Sequence, residues 1–216
     1  MVRTEISADG SLGEEKVMAK KRGRPRRSWA LELGANVTCE GVHFRVWAPK
    51  ASSVSLVITE MPGEISLIPE ANGYFSTSVS GVEAGAKYFY LLNGGQPRPD
   101  PVSRSQPEGV HGPSQVIDPG QFNWSDEDWR GIPWEEMILY EIHTGAFTRE
   151  GTFEAIIPYL DYLKNDLGLT AIELMPVSQF PGERNWGYDG AYLYAPQNSY
   201  GGPWGLKALV NGCHLK

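Results

Sequence analysis

The sequence predicts a multidomain β plus α/β protein, in which an all-β sandwich is followed by a strand–helix–strand unit on a parallel sheet. Three observations carry this. Apolar residues recur with period two from about Trp29 to Phe122. After Trp134 the period becomes that of a helix lying between two short apolar runs. An acidic stretch holding Trp124, Trp129 and Trp134 separates the two regimes. The chain divides accordingly into a basic extension over residues 1–28, a sandwich domain over 29–122, a linker over 123–134 and an α/β part over 135–216.

Residues 1–28 are polar and charged, too poor in apolar side chains to form a core, and are expected to be disordered. In the sandwich, Val42, Phe44 and Val46 alternate with His43, Arg45 and Trp47. Val54, Leu56 and Ile58 repeat the pattern, as do Phe75, Thr77 and Val79, and the aromatic run Tyr88–Leu92 follows. Turn residues separate the runs at 48–50, 61–63, 71–73 and 93–95, the spacing of short antiparallel strands. Residues 97–120, rich in proline and glycine, are expected to form an ordered connecting loop. Met137–Ile142 reads as a buried strand closing on Glu141 and His143. Gly151-Thr152 opens a helix. Its apolar positions are Ile157, Leu160, Leu163 and Leu167, and Gly168 is placed as the glycine that ends it. Pro158 is tolerated only in a first turn, so the regular helix is expected to start near Ile157. Leu169–Met175 reads as a second buried strand, and strand, helix, strand without alternation reads as a βαβ unit. A long loop and a helix from about Pro203 to Lys216 complete the chain.

Charge narrows the function. Residues 1–30 carry a net charge of +4, and the remainder carries −11. An acidic globule does not suit binding to a phosphate backbone. Nucleic acid is therefore not an expected partner, except through the N-terminal run Lys20–Arg27, whose Arg24-Pro25 and flanking glycine are similar to an AT-hook arm. Cys39 and Cys213 lie far apart and form neither a disulfide framework nor a metal pattern, so they read as plain thiols. No apolar run reaches the roughly 20 residues of a membrane span, and no secretory signal is seen. A cytoplasmic location is the expectation.

The stretch from Asn185 to Gly202 carries the chemistry. Six aromatic residues fall between residues 186 and 204, after the C-terminal end of a predicted parallel strand. An aromatic ring offers a flat apolar face to the C–H face of a pyranose, a neighbouring carboxylate takes the hydroxyls, and glycine allows close approach of the backbone. Trp186, Tyr188 and Asp189 thus read either as a sugar platform or as the packed core of a loop.

Longer motifs decide the class. Leu139–Thr148, Gly151–Phe153, Thr170–Val177 and the Trp186–Gly202 loop resemble glycoside hydrolase family 13, the α-amylase superfamily. Asp100–Arg104 and Gln106–Ser114 resemble its trehalohydrolase subgroup. The Phe44–Pro49 strand and the runs after it are similar to a β-sandwich of the carbohydrate-binding module family 48, or early-set, type. The resemblance covers about residues 29–216 and implies the first two βα units of an incomplete (β/α)8 barrel after the sandwich. It implies hydrolysis of the α-1,4 bond next to the terminal trehalosyl unit of maltooligosyl trehalose, with water as acceptor and no cofactor or metal. The expected partner is a malto-oligosaccharide. It places Tyr188 on the sugar next to the cleaved bond, with Trp186 and Asp189 beside it. His143 reads as a structural histidine or as a support to the site.

The implied mechanism needs an Asp nucleophile and a Glu acid/base, their carboxyl groups roughly 5–5.5 Å apart, on later strands of a barrel of about 250 residues. Glu141, Glu173 and Asp189 match none of these positions, so no catalytic residue is assigned and the chain by itself is expected to be inactive. Trp204, where the family carries an acidic residue, and Gly212, inside a helix, depart from the pattern. Three other readings stand beside this one: a branching or debranching enzyme of the same superfamily, a non-catalytic glucan-binding fragment, and an AT-rich DNA binder through residues 20–27.

Overall fold

The computed structural model describes residues 32–216; the basic extension, with its Lys20–Arg27 run, lies outside the described residues. The sandwich comes first. Strands β1 (Gly34–Thr38), β2 (Gly41–Trp47), β5 (Ile68–Pro69) and β6 (Tyr74–Ser80) form one antiparallel sheet in the order β1-β2-β6-β5. Strands β3 (Val54–Ile58), β4 (Ile65–Ser66), β7 (Lys87–Leu92), β8 (Pro97–Arg98) and β9 (Ser114–Gln115) form the other, in which β7 pairs with β3, β8 and β9. Period two decides which side chains meet. Val42, Phe44 and Val46 from β2 and Phe75 and Val79 from β6 enter the same core as Val54, Leu56, Ile58, Tyr88 and Tyr90. Phe44 and Tyr88 meet edge to face at 5.0 Å. Their alternate residues, His43, Arg45 and Trp47, face outward.

The connection over residues 97–120 is ordered by buried polar side chains rather than by apolar ones. Asp100, Ser103, Ser105, Gln106 and Ser114 are all buried. Tyr88 Oη donates to Asp100 Oδ2 (2.7 Å), and the Val102 N–H donates to Asp100 Oδ1 (2.9 Å). Ser114 Oγ accepts from the Asp100 N–H (2.9 Å) and donates to Gln106 Oε1 (2.7 Å). Arg104 reaches back to the Ala35 and Leu33 carbonyls and to Asn36 Oδ1, tying this loop to β1.

A second apolar cluster holds Ile142, Phe153, Ile156, Leu160, Leu163, Phe180, Tyr200 and Leu209. Strand β10 (Leu139–Ile142) pairs in parallel with β11 (Ala171–Leu174), with Leu139 opposite Ala171 and Ile142 opposite Leu174. Between them run a helical turn α1 (Thr144–Phe147) and helix α2 (Phe153–Ile156). The latter continues through a 3₁₀ turn at Ile157–Tyr159 and a π turn at Tyr162–Asp166. This is the βαβ unit the sequence predicts.

Several details differ from expectation. The helix begins at Phe153, not near Ile157, because Thr152 caps it, its Oγ1 accepting from the Ala155 N–H. Pro158, which has no N–H to donate, falls where the helix tightens to 3₁₀ geometry, and the Ile157 N–H turns to Glu154 O. The π turn, marked by the Leu167 N–H on Tyr162 O (3.2 Å), adds a residue to the register and rotates Leu167 off the core face into solvent. Gly168, at φ +72°, ends the helix as predicted. The two strands are not buried as expected. In β10 only Ile142 is enclosed, and Leu139 is 53% exposed. An apolar run specifies a strand suited to burial, whereas covering it takes neighbours on both faces and edges, and among the described residues β10 pairs with β11 alone.

A hairpin absent from the sequence reading follows: β12 (Ser178–Gln179) and β13 (Tyr192–Pro196), antiparallel. Two buried glutamines brace it. Gln197 Oε1 accepts from the Phe180 N–H and Gln179 Oε1 from the Asn198 N–H, 2.9 Å each. Helix α3 (Gly202–Leu215) then packs on α2. A Cβ at Gly212 would lie 3.3 Å from Leu160 Cδ1, so this glycine marks a close helix approach. Trp204 stacks on Phe122 at 6.4 Å and 17°, with Lys207 Nζ 4.7 Å above it. The Trp-rich linker is laid along the same helix. The Ser125 N–H donates to Asn211 Oδ1 (2.9 Å), His214 pairs with Asp126 (2.6 Å), and Trp129 stacks on His214 at 3.8 Å. No helix among the described residues is long and apolar enough to cross a membrane.

Burial raises the Asp100 carboxyl to about 6, against the opposing pull of the Tyr88 hydroxyl, the Val102 N–H and the Arg104 charge. The folded state therefore keeps a proton that the unfolded chain, near 3.8, has released. This contribution to stability is full below about pH 4 and is lost as pH rises through about 6; its size is on the order of 3 kcal/mol. Urea midpoints of the wild type and of Asp100→Asn, compared between pH 4 and pH 7, should show this component only in the wild type.

Candidate functional site

The loop between β12 and β13 carries Trp186, Tyr188 and Asp189, and the structure brings all three to its tip. Its shape follows from local chemistry. Asn185 Oδ1 accepts from the Gly187 N–H (2.8 Å), closing a tight side-chain turn, and Asn185 Nδ2 donates to Asp189 Oδ2 (2.7 Å). Gly187 sits at φ +95°, and a Cβ there would come within 2.0 Å of the Pro176 carbonyl oxygen. Only glycine meets both demands, the left-handed backbone and the close approach to the end of the β11 segment.

His143, at the end of β10, is the second support. Its Nε2 donates to the Asn185 carbonyl (2.7 Å), and its ring meets Trp186 edge to face at 5.5 Å and Tyr200 at 6.3 Å. The other ring nitrogen is Nδ1. This atom and the neighbouring Thr144 Oγ1 are buried and have no hydrogen-bond partner among the described residues. Tyr200 is enclosed by Phe153 and Phe180, its ring lies on Gly145, and burial raises its phenol. His143 is thus neither a fully satisfied core histidine nor an exposed one; it braces the loop.

The aromatic rings at the tip are open. Trp186 is 69% exposed and Tyr188 is 71% exposed, so these two side chains do not form a packed loop core. A supported loop with two open rings and a carboxylate already oriented by Asn185 can hold a polyol by stacking and hydrogen bonding. Glu141 and Glu173 stand opposite each other on the β10–β11 ladder, both exposed. No cluster of metal-ligating side chains occurs among the described residues. Sequence reasoning overlooked Asn185 as the organiser of the turn, although Asn two residues before Gly is a turn signal. It also overlooked Gln179, Gln197, Tyr192 and Asn198, whose roles depend on partners distant in sequence.

Residues 32–108 match the family Carbohydrate-binding module 48 (Isoamylase N-terminal domain). The crystal structure of a Salmonella typhimurium protein assigned as an alpha amylase superposes with a TM-score of 0.82 at 43% identity, over 86% of this chain and 32% of that one. Over most of its length the chain is similar to enzymes of the α-amylase superfamily of glycoside hydrolases. Within it, the chain is similar to the N-terminal part of malto-oligosyltrehalose trehalohydrolase. It is 48% identical over 184 residues to the enzyme of Saccharolobus solfataricus, an alignment covering 85% of this chain and 32% of that enzyme. It is also 32% identical over 207 residues to a 1,4-alpha-glucan branching enzyme of Corynebacterium jeikeium, over 89% of this chain and 29% of that enzyme. The chain spans about a third of the length of the curated relatives it matches.

Gly187→Ala should lower stability by more than about 1 kcal/mol, because the substitution strains both φ and the Pro176 contact. A lower urea midpoint together with changed Trp186 fluorescence is the expected signature; an unchanged midpoint would remove the argument for glycine at this position.

Proposed function

We propose that residues 32–216 are the glucan-holding front part of a trehalose-releasing glycoside hydrolase: a carbohydrate-binding sandwich and the first two βα units of a (β/α)8 barrel. The parent activity is cleavage of the α-1,4 bond next to the terminal trehalosyl unit of maltooligosyl trehalose. The observation that carries this reading is the pair of open rings, Trp186 and Tyr188, on a loop fixed by Gly187, Asn185 and His143. Tyr188 stacks on the sugar, Trp186 extends the platform, and Asp189, held by Asn185, orients hydroxyls. The similarity to trehalohydrolases over most of the chain, and the Gln106–Ser114 stretch, favour trehalose release over glucan branching.

Chemistry of the retaining type requires two carboxyl groups, roughly 5–5.5 Å apart, astride the scissile bond. Neither Glu141 nor Glu173 takes that role here. Both sit on the open β10–β11 ladder, and Asp189 is engaged by Asn185. The chain alone binds a malto-oligosaccharide and does not cut it.

Titration calorimetry with maltoheptaose should give binding in the millimolar range or tighter, weakened about fivefold or more by Tyr188→Ala, since stacking on one ring is worth roughly 1 kcal/mol or more. Incubation with maltooligosyl trehalose should release no trehalose. Absence of heat at millimolar sugar would sink the binding assignment, and released trehalose would sink the assignment of the catalytic groups elsewhere.

A further inference from the structure

The stretch Gln106–Ser114, which resembles the trehalohydrolase subgroup, belongs to the sandwich. Its inner side is held by a continuous buried polar chain. Tyr88 donates to Asp100, the Asp100 N–H donates to Ser114, Ser114 donates to Gln106, and Gln106 Nε2 donates to the carbonyls of Gly109 and Gly112 (3.2 Å each). Tyr88, Asp100, Gln106 and Ser114 are each at most 1% exposed. The turn is therefore rigid for a definite reason: Asp100, Gln106 and Ser114 each lose a partner if the turn moves.

The outer side of the same turn presents two carbonyl oxygens to the second half of the protein. Val110 O accepts from Tyr192 Oη (3.0 Å), and Pro107 O accepts from Asn198 Nδ2 (3.2 Å). Tyr192 begins β13 and Asn198 lies just past its end, so the two bonds bracket the strand. Burial and the Asp100 charge together raise the Tyr192 phenol, which places this residue within the field of the buried network. Strand β13 is one leg of the hairpin whose tip carries Trp186, Tyr188 and Asp189. Apolar packing alone lets a strand slide and roll, because it is non-directional; two directional bonds at its ends fix both motions.

We infer that the sandwich turn 106–114 is a positioning element for the glucan platform, acting through Tyr192 and Asn198. The Gln106–Ser114 stretch then serves the sugar site without touching sugar, and Tyr192 and Asn198 are positioning residues. The inference rests on the sugar reading for what the loop holds, but not for how the loop is held.

The test uses the 216-residue chain and two variants. Tyr192→Phe keeps the ring and deletes one hydroxyl. Asn198→Asp keeps the oxygen that accepts from Gln179 Nε2 and from the Ser199 N–H, and deletes the donor to Pro107. Hydrogen exchange is measured first without sugar. Peptides spanning residues 183–191 should exchange roughly three- to tenfold faster in each variant, the loss expected for one hydrogen bond, while β2, β3 and β7 remain as protected as in the wild type. Maltoheptaose affinity should fall by a similar factor. Unchanged exchange over 183–191 in both variants overturns the inference, and so does a uniform rise through the sandwich, which marks general destabilisation. Because the exchange experiment contains no sugar, a wild type that fails to bind maltoheptaose removes the sugar reading alone and leaves the exchange result to decide this one.

Discussion

Asp100 has a carboxyl group with no access to water, and much of the molecule is arranged to supply what water would have supplied. An ionised or even a neutral carboxyl is costly to enclose without partners. Here the Tyr88 hydroxyl, the Val102 N–H and the charge of Arg104 surround it. Each partner is itself committed elsewhere. Tyr88 belongs to the sandwich core, where it packs on Phe44 and Tyr90. Arg104 holds β1 through backbone carbonyls. A stretch with almost no regular secondary structure thus becomes as fixed as the sheets it joins, because directional bonds among buried groups replace the ladder that an irregular backbone lacks.

The second half of the chain is held to the first by different means at two places. Near the candidate site the contact is the pair of carbonyls offered to Tyr192 and Asn198. On the far side it is the linker, laid along α3 through Phe122 on Trp204, Ser125 on Asn211, and Asp126 with Trp129 around His214. Trp204 and Gly212, departures when judged against the family pattern, have local reasons. The indole gives the linker a surface to stack on, and the missing Cβ lets α3 lie against Leu160 and Ile157.

The candidate site was legible in part. Trp186, Tyr188 and Asp189 stand together in sequence, and the glycine between the rings signals a forced backbone. Whether those rings packed inward or faced solvent was not legible, since an aromatic residue serves a core as well as a platform. His143 shows the same limit. Its position at a strand end is readable, but its bond to the Asn185 carbonyl joins residues 42 apart, and nothing in the local pattern encodes that meeting.

Period and turn chemistry determined the sandwich strands, the βαβ unit, the Gly168 stop and the final helix, because each of these depends on neighbours within a few residues. Only the tertiary structure decided the exposure of β10, the antiparallel hairpin and the bonds that hold it. Burial and hydrogen-bond partnership are properties of pairs distant along the chain. A strand's own composition states that it is fit to be covered, and a loop's composition states that it is fit to bind. The fold decides which strand is covered and which ring is left open.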